Sequence, residues 1–275
     1  MGIFSNCLLV SDIDGTLKDR SCIPKINLEM IEYFKSQGGI FTIATGRGPS
    51  VAKDLCKSVN INGPALMSNG SVIYDVYKEE IIEAKYLPYS AKELTKAVMD
   101  KFQNVGIQIT LDDKLITLAD NIDTESYRER MGVPHIPVSF EEAKDIPWIK
   151  VLVMASDKEL LSQVKEFMNN RVQDDFCFIP SSPDYYEVHV AGVSKAMNLK
   201  RLLEVNNIPN GKVFCIGDYY NDLEMIIAAD IGAALEDSPD DIKECADYIA
   251  CNVKKGAVAD FIKHLENKLK NNSKG

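Results

Sequence analysis

The stretch Leu8-Leu9-Val10-Ser11-Asp12-Ile13-Asp14-Gly15-Thr16-Leu17 decides how the rest of the chain is read. An apolar run of this length that ends in two carboxylates and a glycine turn predicts a buried parallel strand whose C-terminal end opens into a polar site. Asp12 and Asp14 are two apart, so on an extended backbone their side chains leave toward the same side. Two carboxylates that close repel unless they share a proton or a cation. A hard divalent ion with oxygen ligands, Mg²⁺ above all, suits carboxylates placed beside a phosphate.

The same pattern returns twice. Ile40-Phe41-Thr42-Ile43-Ala44 reads as a second strand that stops at Thr45-Gly46-Arg47-Gly48, with Pro49 opening a helix. Between the two strands lies a helix-spaced set, Met30, Ile31 and Phe34, with Asn27 as its expected cap and Gly38-Gly39 as its stop. Strand, helix, strand at this spacing is a right-handed crossover, which places Thr45 on the same sheet edge as Asp12. Far downstream, Lys212-Val213-Phe214-Cys215-Ile216 runs into Gly217-Asp218-Tyr219-Tyr220-Asn221-Asp222. Ser194 is expected to cap a helix carrying Leu199, Leu202 and Leu203, with Lys195 in its first turn. A lysine opposes the helix dipole there, a conflict that a bound anion would reverse.

Between these blocks the texture changes. Residues 84–189 hold hairpin signals (107–111 and 115–118), a helix over 91–102, a proline-punctuated connection, and further strands over 149–154, 176–179 and 185–190. The expected class is therefore α/β, with a doubly wound, Rossmann-like parallel core over 1–83 and 190–275 and an inserted α+β domain over 84–189. Ligands of such cores bind outside the carboxyl ends of the strands, so Asp12, Asp14, Thr45, Lys195, Asp218 and Asp222 are expected to converge.

Composition narrows the partners. The 31 Lys and Arg against 41 Asp and Glu give a net charge of −10, with no dense basic stretch to meet a nucleic acid or an anionic membrane. Seven scattered cysteines form neither a disulfide framework nor a zinc pair. No apolar run approaches the length of a membrane span, and a cytoplasmic monomer or weak homodimer is the expectation.

Taken together, the motifs resemble the haloacid dehalogenase superfamily. Asp12-Ile13-Asp14-Gly15-Thr16-Leu17 is similar to its first motif, Thr45 with Gly46-Arg47 to the second, Lys195 to the third, and Gly217-Asp218-Tyr219-Tyr220-Asn221-Asp222 to the fourth. The insert, with Asn69-Gly70 ahead of it, resembles the type IIB cap of the Cof-like branch. Ala196 departs from the pattern, standing where a glycine often follows the motif lysine.

The resemblance implies a Mg²⁺-dependent phosphatase acting on a small phosphorylated metabolite, a sugar phosphate or phosphorylated cofactor. Asp12 would be the nucleophile and Asp14 the acid and base. Thr45, Gly46 and Lys195 would hold the phosphoryl group, and Mg²⁺ would sit on Asp12, the Asp14 carbonyl and Asp218. Asn221 and Asp222 would support the site, Asp222 by holding a metal-bound water or by orienting Lys195. Arg47, Asn69, Glu187 and His189 are candidate substrate contacts. A phosphomutase, a non-enzymatic phosphoacceptor switch and an idle sugar-phosphate binder are the alternatives; the second acid and the large insert speak against a switch.

Overall fold

The computed structural model describes residues 2–19, 22–182 and 184–272. In chain order the elements are β1 (Cys7–Ser11), α1 (Lys25–Ser36), β2 (Ile40–Ile43), α2 (Pro49–Ser58), β3 (Ala65–Met67), β4 (Val72–Asp75) and β5 (Glu80–Ala84). Then follow α3 (Tyr89–Lys101), β6 (Gly106–Thr110), β7 (Leu115–Ala119), α4 (Ile122–Met131), α5 (Phe140–Ala143), β8 (Lys150–Met154), α6 (Lys158–Asn169), β9 (Phe176–Ser182) and β10 (Tyr185–Val190). The chain closes with α7 (Leu199–Val205), β11 (Lys212–Ile216), α8 (Leu223–Ala228), β12 (Ile231–Leu235), α9 (Asp240–Cys245), β13 (Tyr248–Ala250) and α10 (Ala257–Asn272). The chain divides into two compact units, one of Met1–Thr45, Asp54–Glu80 and Ser194–Gly275, the other of Gly46–Lys53 and Ile81–Val193.

The first unit is built on a five-stranded sheet in the order β13-β12-β11-β1-β2, parallel throughout. Its strands are buried on both faces, which is why β1 reads as an unbroken apolar run and not as an alternation. Leu8 and Val10 of β1 pack with Val213 and Cys215 of β11 against Leu199, Leu202 and Leu203 of α7 and Met225 of α8. Elsewhere in the unit α1 packs on β2, α10 on β13, and the two helices on each other.

Asn27 departs from its expected role. Pro24 stands at the N-cap of α1, and Asn27 lies inside the helix, fully buried. Its amide donates to Leu17 O at 3.1 Å while its carbonyl oxygen accepts from Ala259 N at 2.9 Å, so one side chain joins the loop after β1 to the start of α10. A side chain spent on those two partners cannot cap its own helix.

The second unit is an α+β layer. Its sheet runs β7-β6-β8-β10-β9, antiparallel at every pairing. Ile107, Ile109, Val151, Val153 and Val188 point to one face, where Leu94 and Val98 of α3 and Leu161, Val164 and Met168 of α6 cover them around the buried Trp148. The opposite face is mixed. At one end Leu115, Leu152 and Met154 pack with Tyr127 of α4, and beside them lie the buried polar side chains Gln108, Thr110, Thr117, Lys150, Glu187 and His189.

Three of these polar groups are linked to one another. Lys150 Nζ donates to Glu187 Oε1 and to Gly46 O, each at 2.8 Å, and Glu187 Oε2 lies 2.6 Å from His189 Nε2. Burial alone would raise the Glu187 carboxyl, but the Lys150 charge and the His189 contact outweigh it and hold it at about 2. Burial depresses His189. Both groups are harder to protonate in the fold than in the unfolded chain, so each contributes stability at neutral pH that is lost on acidification. For His189 the loss begins as pH falls through about 6.5, and for Glu187 it develops from about 4.5 downward. Denaturation midpoints should fall across this window, and Glu187→Gln should flatten the dependence below about pH 4.5. The carboxylate's share is on the order of 3 kcal/mol at neutral pH.

Candidate active site

Three strand ends of the first unit converge as the sheet topology requires. Strand β1 stops at Ser11, and Asp12 N donates to Ile216 O at 3.0 Å, tying the start of the acidic loop to the end of β11. Asp12 is 6 % exposed. Asp14 lies beyond the strand on a turn bridged to Lys18, and its side chain is exposed. The two acids of the first motif therefore differ in environment: one is enclosed and the other reaches solvent. The strand ends at Ser11, so Asp12 and Asp14 both lie in the loop beyond it.

Lys195 is fully buried. Its Nζ donates to Asp12 Oδ1 at 2.6 Å and to Asp222 Oδ1 at 2.5 Å, although these residues are 183 and 27 positions away. The second Asp222 oxygen accepts from Asp218 N at 3.0 Å and Tyr219 N at 3.2 Å, so Asp222 braces both the lysine and its own loop. Gly217 makes this brace possible, since a Cβ there would stand 2.4 Å from Asp222 Cβ. Asp218 in turn accepts from Thr16 Oγ1 at 2.7 Å. Gly15, at φ +101°, leaves the space beside it, where a Cβ would lie 2.3 Å from Asp218 Oδ2.

Lys195 is not in the first turn of a helix. It lies in a turn over 195–198, and α7 begins at Leu199. The reason is a competing contact: Asn198 Nδ2 donates to Gly70 O at 2.7 Å, which draws this segment onto the loop after β3. That loop ties the motifs together. Ser68, Asn69 and Gly70 all have positive φ, at 51°, 53° and 93°, and Asn69 N donates to Thr45 O at 2.9 Å. Asn221 Nδ2 lies 3.3 Å from Asn69 Oδ1. Thr45 is buried, its N–H donating to Leu66 O at 2.9 Å. Asn69, offered by the sequence as a substrate contact, is thus also a link between Thr45 and Asn221.

Gly46 and Arg47 fall in the second unit, as do Glu187 and His189. Glu187 and His189 are buried against Lys150, a residue the sequence reading did not single out. Its signal was a lone lysine opening the apolar strand Val151-Leu152-Val153-Met154.

Electrically the first-unit site is unbalanced. Carboxylate oxygens of Asp12, Asp218 and Asp222 lie within 4.8 Å of one another, with one ammonium among them. Burial, together with the charges of Asp222 and Asp218, raises the Asp12 carboxyl well above its ordinary value in spite of Lys195. Burial and the Asp222 charge push Asp218 up to about 7. Lys195 goes the other way: burial disfavours its charge, but Asp12 and Asp222 outweigh that and keep it protonated. Three acids around one lysine, their carboxylate oxygens within 4.8 Å of one another, fit a small divalent cation with oxygen ligands.

A parallel α/β core with an enclosed aspartate, a paired lysine and further acids at its strand ends defines a hydrolase of the phosphoryl-transfer kind. The comparisons agree. The family model for haloacid dehalogenase-like hydrolases matches residues 9–262, and the chain belongs to that family. Among its relatives is the 5-amino-6-(5-phospho-D-ribitylamino)uracil phosphatase YcsE of Bacillus subtilis (strain 168), 27% identical over 94% of each chain. Another is the phosphatase YwtE of the same organism and designation, 25% identical over 94% of this chain and 97% of that one. A haloacid dehalogenase-like hydrolase from Bacteroides thetaiotaomicron superposes with a TM-score of 0.83 at 26% identity, covering 94% of this chain and 98% of that one. The subclass IIB sugar phosphatase BT4131 shares the fold, with a TM-score of 0.80 at 23% identity over 94% and 98%. The chain is a haloacid dehalogenase-like phosphatase, a phosphoric monoester hydrolase. Among the described residues no helix is long and apolar enough to cross a membrane.

Proposed function

We propose that this chain hydrolyses a small phosphorylated metabolite through an aspartyl-phosphate on Asp12, with Mg²⁺ as cofactor. The observation that carries the reading is the enclosed Asp12 carboxylate: Lys195 holds one oxygen, and the other accepts no hydrogen bond from any described residue. That second oxygen is the one free to attack phosphorus.

In the first half-reaction a bond forms between the Asp12 oxygen and phosphorus as the bond to the leaving oxygen breaks. Asp14, exposed at the mouth of the turn, gives its proton to the leaving alkoxide. In the second half-reaction Asp14 takes a proton from water, the water oxygen bonds to phosphorus, and Asp12 departs as a carboxylate. Thr45, Gly46 and Lys195 hold the phosphoryl oxygens, and Asp222 orients Lys195. Asp12, the Asp14 carbonyl and Asp218 would hold Mg²⁺, which when bound neutralises charge between carboxylate and phosphate.

The second unit supplies recognition of the leaving group. Ribitylaminouracil phosphate and sugar phosphates, the substrates for which relatives are named, belong in the first panel with pyridoxal phosphate and flavin mononucleotide. Phosphate release should require Mg²⁺ and stop with chelator. Mg²⁺ should also raise the thermal midpoint by binding the folded state alone. A protein that shows this Mg²⁺ shift yet releases phosphate from no compound would overturn the phosphatase reading in favour of a mutase or a phosphoacceptor.

A further inference from the structure

Lys195 and Thr45 stand on different segments of the first unit, and one short loop, residues 68–70, touches both segments. Asn69 N donates to Thr45 O at 2.9 Å, and Gly70 O accepts at 2.7 Å from Asn198 Nδ2, three residues after Lys195. The loop holds an unfavourable shape. Ser68 and Asn69 lie in the left-handed region at φ 51° and 53°, which asparagine tolerates and serine seldom adopts. The Ser68 side chain does nothing to support it, since its Oγ is buried without a partner among the described residues. Such a backbone persists where the surroundings impose it. Here the anchors are the Thr45 carbonyl, the Asn198 amide, and Asn221, whose Nδ2 lies 3.3 Å from Asn69 Oδ1.

Asn198 does not do what its position invites. It is 7 % exposed at the N-cap of α7, where an asparagine side chain ordinarily accepts from the first turn, yet it makes no such bond. Its amide instead joins a loop 128 positions away. The two segments also meet backbone to backbone, because a Cβ on Gly70 would stand 2.2 Å from Ser194 O. Lys195 lies between these two contacts in sequence. An ammonium has three donors, and Asp12 and Asp222 take two of those on Lys195 Nζ. With two donors fixed, the direction of the third depends on where the flexible stem begins, which is the backbone that Asn198 pins.

On the reading that the chain is a phosphatase whose Lys195 and Thr45 hold the phosphoryl oxygens, we propose that Asn198 is a positioning residue. Its amide clamps the Lys195 segment to the 68–70 loop and so sets where the third donor of Lys195 points relative to Thr45. Donors placed in advance of the reaction act most strongly on the transition state, so the clamp bears on kcat more than on KM.

The test is Asn198→Leu, which removes the donor at similar volume, assayed well below its thermal midpoint on whichever phosphate ester wild type hydrolyses. Its kcat should fall about tenfold to a hundredfold while KM changes less than about threefold. Inhibition by orthovanadate, which mimics the transition state of phosphoryl transfer, should weaken by a similar factor. The Mg²⁺ concentration giving half-maximal activity should move less than about twofold, because Asp12, Asp14 and Asp218 stand on other loops. Gly70→Ala forces the same two segments apart from the other side and should give the same division between kcat and KM. Wild-type kinetics with only a lowered midpoint would make the contact purely structural and overturn the proposal. So would a rise in KM at unchanged kcat, or a parallel loss of Mg²⁺ affinity, which would mean that the whole site had collapsed. Asn198→Ala serves if the leucine variant does not fold, and failure of both asparagine variants to fold assigns the amide to the fold instead. A folded wild type that releases phosphate from no ester is a different failure, that of the phosphatase reading, and the proposal falls with it.

Discussion

Asp12→Asn is expected to reduce phosphate release by at least about 10⁴-fold while leaving the protein folded, because a carboxamide of the same shape cannot act as the nucleophile. The fold should tolerate the change for electrostatic reasons. Asp12, Asp218 and Asp222 place up to three negative charges around one lysine, and burial and mutual repulsion already oppose the ionised form of Asp12. Replacing one carboxylate with an amide relieves that repulsion, and the amide oxygen can still accept from Lys195. In the absence of metal the thermal midpoint should therefore stay level or rise, so activity and stability move in opposite directions. Phosphate release and a thermal melt on one preparation decide the matter. Retained turnover would remove Asp12 from the nucleophile's role, and a large drop in midpoint would make the carboxylate a structural group.

What could be read from the chain follows from which residues carry strong local signals. The strands of the first unit are buried on both faces, so β1, β2 and β11 appear as plain apolar runs, and the polar residues that end them mark the edge where Asp12, Thr45 and Asp218 gather. The helix α4 was not legible, since Ile122-Asp123-Thr124-Glu125-Ser126-Tyr127-Arg128-Glu129-Arg130-Met131 has no apolar stripe. It is held by its ends: Asn121 and Thr124 form a reciprocal capping box, and Gly132 closes it in the left-handed region. Asn27 misled for the opposite reason. It is a good capping residue by type, yet its side chain is engaged by distant backbone groups that only the fold brings near, Leu17 O and Ala259 N. Gln108 and Lys150 could not be singled out either, because a polar residue in a half-buried strand looks the same whether it faces solvent or a closed polar layer.

Lys195→Met is the substitution expected to damage the fold most. The lysine is fully buried, and both of its partners are carboxylates enclosed with it. Removing the ammonium leaves Asp12 and Asp222 facing each other and Asp218 with no compensating charge, and breaking a buried ion pair from one side costs about 3 to 5 kcal/mol. Two features separate this cause from simple loss of packing, for which methionine is a fair substitute in volume. The variant should recover stability as pH falls, because protonation of the stranded carboxylates removes the repulsion, whereas a packing defect would not respond. The second feature is non-additivity. Asp222 spends one oxygen on Lys195 and the other on the N–H groups of Asp218 and Tyr219, so Asp222→Asn alone should also destabilise. With the lysine already gone, neutralising Asp222 removes a stranded charge, and the double variant should be less damaged than the sum of the two single changes by at least about 1 kcal/mol. Urea denaturation of the four proteins at neutral pH measures that coupling. Additive effects would mean that Asp222 braces only its own loop, and the role of orienting Lys195 would have to pass to Asp12 alone.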